Sequence, residues 1–299
     1  GSGLLLGKTQ ADLLNINVAR HDAVKRTSLR LQGDALRCLQ ELGTLLVEIP
    51  SEKSWVNHYR QLRLEWNNAA SSAVIHSASE LPSDAEVLGR VNEFFAQQAT
   101  VVCAAGGLPG ELHKLWRATD ADSYHLEYGY SCMGYEIAGG LGVKMALPDR
   151  DVVVMIGDGS YLMMNSEIAT SVALRQKLII VLLDNRGFGC INRLQTSLGG
   201  DGYNNLWDSS YEQVVAIDFA AHAAALGALS EKVSGLDELS AALQRAQQAD
   251  RSYVVVIDTD PVASTDAGGT WWDVPVAEVS EHTAVQQAAA RYQEQQKKR

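Results

Sequence analysis

Apolar and polar positions change period along the chain, and each period predicts an element. Leu13-Leu14-Asn15-Ile16-Asn17-Val18 alternates as a strand does. Past Asp34, a residue type that caps helices, Leu36, Leu39, Leu42 and Leu46 recur at helical spacing. Trp55, Tyr59, Leu62 and Trp66 form a second helical stripe, and the polar stretch Asn67 to Ser79 reads as a linker or frayed helix end. Ser83-Asp84-Ala85-Glu86 has the form of a capping box, predicting a helix with Val87, Val91, Phe94 and Phe95 on its buried side. Strand-like runs follow at Thr100–Ala104, Ser123–Glu127, Asp151–Ile156, Leu178–Leu183, Leu229–Val233 and Ser252–Asp258. Asp151–Ile156, from Val152 onward, and Leu178–Leu183 are continuous apolar runs, as central parallel strands covered on both faces must be. Helical stretches at Met133–Leu147, Asn165–Arg175, Phe219–Leu226 and Leu236–Gln248 lie between them, and a polar, Gln-rich helix follows Glu281. Strand alternating with helix predicts an α/β fold: a parallel six-stranded sheet with helices on both faces, preceded by a small α/β segment.

Composition narrows the partners more than the fold. The chain is 46% hydrophobic and 20% charged, enough apolar content for a packed core. Its 36 acidic against 25 basic residues give a net charge of -11, which disfavours nucleic acid and anionic membrane surfaces as partners. No apolar run reaches the ~18–20 residues that span a bilayer, and no basic segment leads into a signal-like apolar run, so a cytoplasmic location is expected. Gly1-Ser2-Gly3 is set aside as an expression remnant. Cys38, Cys103, Cys132 and Cys190 are far apart and read as reduced core cysteines.

In parallel α/β sheets ligands bind beyond the carboxyl ends of strands, so the strand exits are where chemistry is expected. The first exit, Ala104-Ala105-Gly106-Gly107-Leu108-Pro109-Gly110, lets a backbone approach a ligand closely, or simply makes a tight turn. The second, Glu127-Tyr128-Gly129-Tyr130-Ser131-Cys132-Met133-Gly134-Tyr135, leads into the helix carrying Gly139-Gly140-Leu141-Gly142. Its start offers N–H groups suited to a diphosphate. Gly129-Tyr130-Ser131-Cys132-Met133 fails as a nucleophile elbow, because Met133 stands where glycine is needed. The third signal is a pair of exits, Gly157-Asp158-Gly159-Ser160 and Asp184-Asn185-Arg186-Gly187-Phe188-Gly189, with 25 residues (160–184) between Gly159 and Asn185. One helix and one strand fill that interval, so Asp158 and Asn185 are predicted side by side. A carboxylate, an amide oxygen and a free carbonyl near Gly187 make half of an octahedral Mg²⁺ shell, which diphosphate and water would complete. The dinucleotide fingerprint fails at Leu162, no Walker A sequence occurs, and no Cys or His spacing suits zinc.

Gly-Asp-Gly, about 25 residues, then Asn is the pattern of thiamine diphosphate enzymes, and the resemblance goes further. Ala104–Arg117, Glu127–Glu136 and Trp271-Trp272-Asp273-Val274-Pro275-Val276-Ala277-Glu278-Val279 resemble the trihydroxycyclohexanedione hydrolases of myo-inositol catabolism. The resemblance implies an expression remnant at 1–3, the tail of a middle domain at 4–50, a helical linker at 51–83, a diphosphate-binding domain at 84–270 and a C-terminal extension at 271–299. It implies thiamine diphosphate and Mg²⁺ as cofactors. Asp158, Asn185 and the Gly187 carbonyl would be metal ligands; Gly106, Gly107, Gly157, Gly159 and Ser160 would lie against the diphosphate, and Met133 beneath the cofactor. His113 and His125 read as histidines without a catalytic role. No catalytic residue is assigned within the chain, since the cofactor-activating glutamate of the family belongs to an N-terminal pyrimidine-binding domain. That domain is expected on the same protein or a companion chain, with a cyclic dione as substrate and a homo-oligomer as the assembly. The other readings are a carboligase or decarboxylase of the acetohydroxyacid synthase type, and a cofactor-binding half inactive alone.

Overall fold

A computed structural model describes residues 12–24, 29–46, 52–75, 79–95, 99–207, 216–267 and 274–298. The Trp271-Trp272-Asp273 segment lies outside the described residues. The chain divides into two compact units, residues 1–65 with 270–273 and 293–299, and residues 66–269 with 274–292.

In the first unit, β1 (Leu14–Asn17), α1 (Arg20–Ala23) and β2 (Leu29–Gln32) form a small crossover, with β1 and β2 parallel. The strand β2, Leu29-Arg30-Leu31-Gln32, does alternate, but at four residues it is short and escaped the sequence reading. Next comes α2 (Ala35–Leu45), capped as expected by Asp34, whose carboxylate accepts from the Arg37 N–H at 3.0 Å. Its leucine stripe is not a buried face: Leu36 and Leu39 remain exposed. The following α3 (Lys53–Ala73) carries the aromatic stripe and continues through Asn67 to Ala73, so of the two readings of that stretch the helix end is the one found. Alanine-rich sequence there supports helix well enough to outweigh its polarity.

The larger unit takes in the end of α3 from Trp66 and continues with α4 (Asp84–Phe95), and the capping box is real: the Ser83 N–H donates to Glu86 Oε2 at 2.6 Å, and the Glu86 N–H to Ser83 Oγ at 3.2 Å. The remaining elements are β3 (Ala99–Cys103), α5 (Leu108–Leu115), β4 (Tyr124–Leu126), α6 (Tyr135–Ala146), β5 (Asp151–Gly157), α7 (Asp158–Met163), α8 (Glu167–Ala173), β6 (Ile179–Asp184), α9 (Gly189–Ser197), α10 (Phe219–Ala225), β7 (Leu229–Val233), α11 (Leu236–Gln248), β8 (Tyr253–Asp258) and α12 (Thr283–Lys298).

The six strands β3–β8 form one parallel sheet in the order β4-β3-β5-β6-β8-β7. Side chains alternate across it into two cores. On one face Val101, Val153, Met155, Val181 and Val255 meet apolar residues of α4, α5 and α11; on the other Val102, Val154, Ile156, Ile180 and Val256 meet residues of α6, α7, α8 and α10. Burial on both faces explains the unbroken apolar runs. The chain leaves β3 outward to β4 and returns to β5 on the other side of β3, so the switch point lies between the exits of β3 and β5.

The four cysteines are unpaired, but the expectation of core cysteines holds only for Cys103, which is buried; Cys132 is exposed and Cys38 and Cys190 are half-buried. Among the described residues, no helix is long and apolar enough to cross a membrane.

Candidate diphosphate and metal site

A cleft of about 230 Å³ opens at the switch point, and all nine residues singled out in the sequence line it: Gly106 and Gly107 after β3, Met133 before α6, Gly157, Asp158, Gly159 and Ser160 at the β5–α7 junction, and Asn185 and Gly187 after β6. Asp158 ends no core element, yet it is fully buried. Its Oδ1 accepts from the Gly159 N–H at 2.8 Å, and its Oδ2 from the Gly187 N–H at 2.6 Å and Trp207 Nε1 at 3.2 Å. Burial, and then the neighbouring Asp184 carboxylate, push the Asp158 carboxyl well above the usual carboxylate range. Those donors are neutral, so a cation is the partner that would hold this buried carboxyl in its ionised form.

Asn185 supplies the second sign of a cation. Its Oδ1 is buried with no hydrogen-bond partner. An orphaned buried acceptor is costly, typically about 1–3 kcal/mol, and rare without a functional reason. The third group is the Gly187 carbonyl, which faces Gly159 across the cleft. Gly187 has φ 135°, and a side chain there would collide with the Asn205 carbonyl, so only glycine fits. Carboxylate, amide oxygen and peptide oxygen form a hard donor set suited to Mg²⁺. Among the described residues, no group of three His, Cys, Asp or Glu side chains could hold a metal, which sets this oxygen site apart from a zinc centre. The three donors and the adjoining glycine turn fit a metal–diphosphate pair.

The contacts expected of Gly159 and Ser160 toward the diphosphate are through backbone N–H groups, and the first of these is engaged elsewhere. The Gly159 N–H is already engaged by Asp158, and Ser160 Oγ lies 2.8 Å from both oxygens of the buried Glu136, so neither group is free to meet a ligand in this arrangement. Ser160 Oγ also accepts from the Gly134 N–H at 2.7 Å, tying the start of α6 to α7. Burial raises the Glu136 carboxyl, with these hydrogen bonds opposing. His113 and His125 do not line the cleft: His113 packs against Tyr124 and Tyr128, and His125 Nε2 lies 2.8 Å from the Tyr135 hydroxyl.

Three residues at the cleft carried no usable sequence signal. Trp207 reaches Asp158 from a strap in which the Phe188 N–H donates to the Asn205 carbonyl and the Trp207 N–H to the Arg186 carbonyl, each at 2.7 Å. The Phe188 ring meets Trp207 edge-on and lies over Gly159, where a Cβ would approach it to 2.8 Å. Asp84, legible only as part of the capping box, lines the cleft and accepts from Thr259 Oγ1 at 2.9 Å.

A cofactor cradle at the switch point of a parallel sheet, with this oxygen donor set, defines a diphosphate-binding fold, and comparison with known proteins gives it a family. Residues 104–257, just over half of the chain, match the profile of the thiamine pyrophosphate enzyme C-terminal TPP-binding domain. The chain belongs to the thiamine pyrophosphate enzymes, whose cofactor pair is thiamine diphosphate and Mg²⁺. Within that family it is 37% identical to 3D-(3,5/4)-trihydroxycyclohexane-1,2-dione hydrolase of Bacillus subtilis over 97% of this chain and 48% of that protein. The protein of the same description from Halalkalibacterium halodurans is 36% identical over 94% of this chain and 48% of its own length. The chain thus spans about half the length of these relatives. The thiamine diphosphate-dependent 4-hydroxybenzoylformate decarboxylase of Rhodococcus jostii superposes with a TM-score of 0.65 over 84% of this chain and 44% of that one, at 17% identity, a likeness of fold alone.

Proposed function

We propose that the chain is the metal- and diphosphate-binding half of a thiamine diphosphate-dependent hydrolase that opens the ring of trihydroxycyclohexane-1,2-dione to 5-deoxyglucuronate. The observation that carries the site is the buried, unpartnered Asn185 Oδ1 beside Asp158 in the switch-point cleft. The substrate follows from the identity of 37% to the Bacillus subtilis hydrolase. Asp158, Asn185 and the Gly187 carbonyl hold Mg²⁺, and the glycine turn after β3 admits the diphosphate against its backbone. Met133 packs beneath the cofactor, while Phe188 and Trp207 wall the metal from bulk water. Thiamine diphosphate held by these residues would supply the carbanion chemistry needed to cleave a C–C bond beside a carbonyl.

Residues 4–50 serve as the tail of a middle domain and 84–270 as the diphosphate domain. The glutamate that activates the cofactor comes from a pyrimidine-binding domain of the same protein or a companion chain, in a cytoplasmic homo-oligomer. Product analysis of the enzyme assembled with that domain tests the reading. Formation of 5-deoxyglucuronate, lost in Asn185→Ala together with calorimetrically measured Mg²⁺-dependent diphosphate binding, is the expected result. Turnover of pyruvate in place of the dione would instead support a carboligase or decarboxylase.

A further inference from the structure

The cap on Asp158 has a consequence for the choice of metal. An ionised carboxylate offers about four lone-pair sites, two on each oxygen. Here Oδ2 accepts from both the Gly187 N–H and Trp207 Nε1, while Oδ1 accepts only from the Gly159 N–H. One site remains, on Oδ1. The strap that carries the indole is anchored: the Trp207 backbone N–H donates to the Arg186 carbonyl, Leu206 bridges to Gly187, and the ring packs 5.5 Å from that of Phe188. Mg²⁺ takes six ligands in tight octahedral geometry, for which a single carboxylate oxygen is suited. Ca²⁺ takes six to eight ligands and readily accepts both oxygens of a carboxylate.

We propose that Trp207 is the residue that sets metal preference: by occupying the second lone pair of Asp158 Oδ2 it holds the carboxylate to one-oxygen coordination and selects Mg²⁺ over Ca²⁺. The inference rests on the metal–diphosphate reading of the cleft. Gly187 alone leaves Oδ2 half open, so deleting the indole donor frees a lone pair for a larger ion. Trp207 stands 49 residues from Asp158, outside the two strand-exit motifs, and acts on the metal only through the carboxylate.

The test is calorimetric titration of the full chain with inorganic diphosphate, in Mg²⁺ and separately in Ca²⁺, reading the ratio of the two affinities. Trp207→Phe keeps an aromatic ring against Phe188 but lacks the donor; Trp207→Leu removes the donor in a second steric context, should the first variant fold poorly. Partners of metal ligands typically change metal affinity by about 10–100-fold, so both variants should lower the Mg²⁺-to-Ca²⁺ ratio by about tenfold or more. A purely structural indole would weaken binding in both metals alike and leave the ratio unchanged. Asn185→Ala, measured alongside, should weaken binding in both metals. If it does so while the ratio in the Trp207 variants stays within about threefold of the parent, against that expected range, the selectivity role is refuted and the site stands. If Asn185→Ala binds as well as the parent, the site reading fails, and the role of Trp207 with it.

Discussion

Asp84→Asn should make the protein more stable, and only above a defined pH. Asp84 is 4% exposed, and its carboxyl is raised from 3.8 to about 6. Burial is the main cause; Arg193 and the Thr259 hydroxyl oppose it, and Glu111 and Asp260 add to it. In the unfolded chain the carboxyl ionises above its ordinary value, whereas in the folded chain it keeps its proton until near pH 6. Folding therefore takes up a proton between these values, and the stability of the parent falls as pH rises through that window. A shift of about two units corresponds to about 3 kcal/mol, fully expressed above pH 6. The amide has nearly the shape of the protonated acid and can still accept from Thr259, but its NH₂ needs a partner, at a cost of about 1 kcal/mol. A net gain of about 2 kcal/mol is therefore expected at pH 8, vanishing or reversing near pH 4. Urea unfolding of parent and variant, followed by tryptophan fluorescence from pH 4 to pH 8, measures the difference. Parallel stability curves across that range would refute the reasoning, because a group without a raised value contributes no slope.

Removing the cap in Ser83→Ala should destabilise α4 by about 1 kcal/mol, read as a lower urea midpoint, since the Glu86 N–H loses its Oγ acceptor. Gly187→Ala should destabilise by about 1–3 kcal/mol, because the positive φ and the Asn205 carbonyl leave no room for a Cβ. The same variant should lose Mg²⁺-dependent diphosphate binding on calorimetry as the clash displaces the carbonyl, and parental affinity would show that a Cβ at 187 leaves the site undisturbed.

The strand order along the chain, the two-sided sheet and the glycine turns were legible because each leaves a local trace. Between their terminal aspartates, Asp151–Gly157 and Ile179–Asp184 are apolar without a polar break, as a strand covered on both faces requires. Asp158 and Asn185 were legible from their spacing: α7, α8 and β6 fill the interval where one helix and one strand were expected, and still bring both residues to adjacent strand exits. Short α7 and α9 were not legible, since each begins inside a glycine-bearing exit whose turn chemistry masks helical periodicity.

What the tertiary structure alone decided was the environment of the exits. No local pattern marks Trp207 as the donor to Asp158, or Asp84 as a wall of the cleft, because their contacts join segments distant in sequence. Nor does sequence announce that Asn185 Oδ1 is buried without a partner. The amino-acid sequence by itself determined which side chains arrive at the switch point, through periodicity and spacing. Burial and lone-pair occupancy were set only when the 205–207 strap, α4 and the end of β8 closed around them, for desolvation and hydrogen-bond geometry are properties of the assembled surroundings.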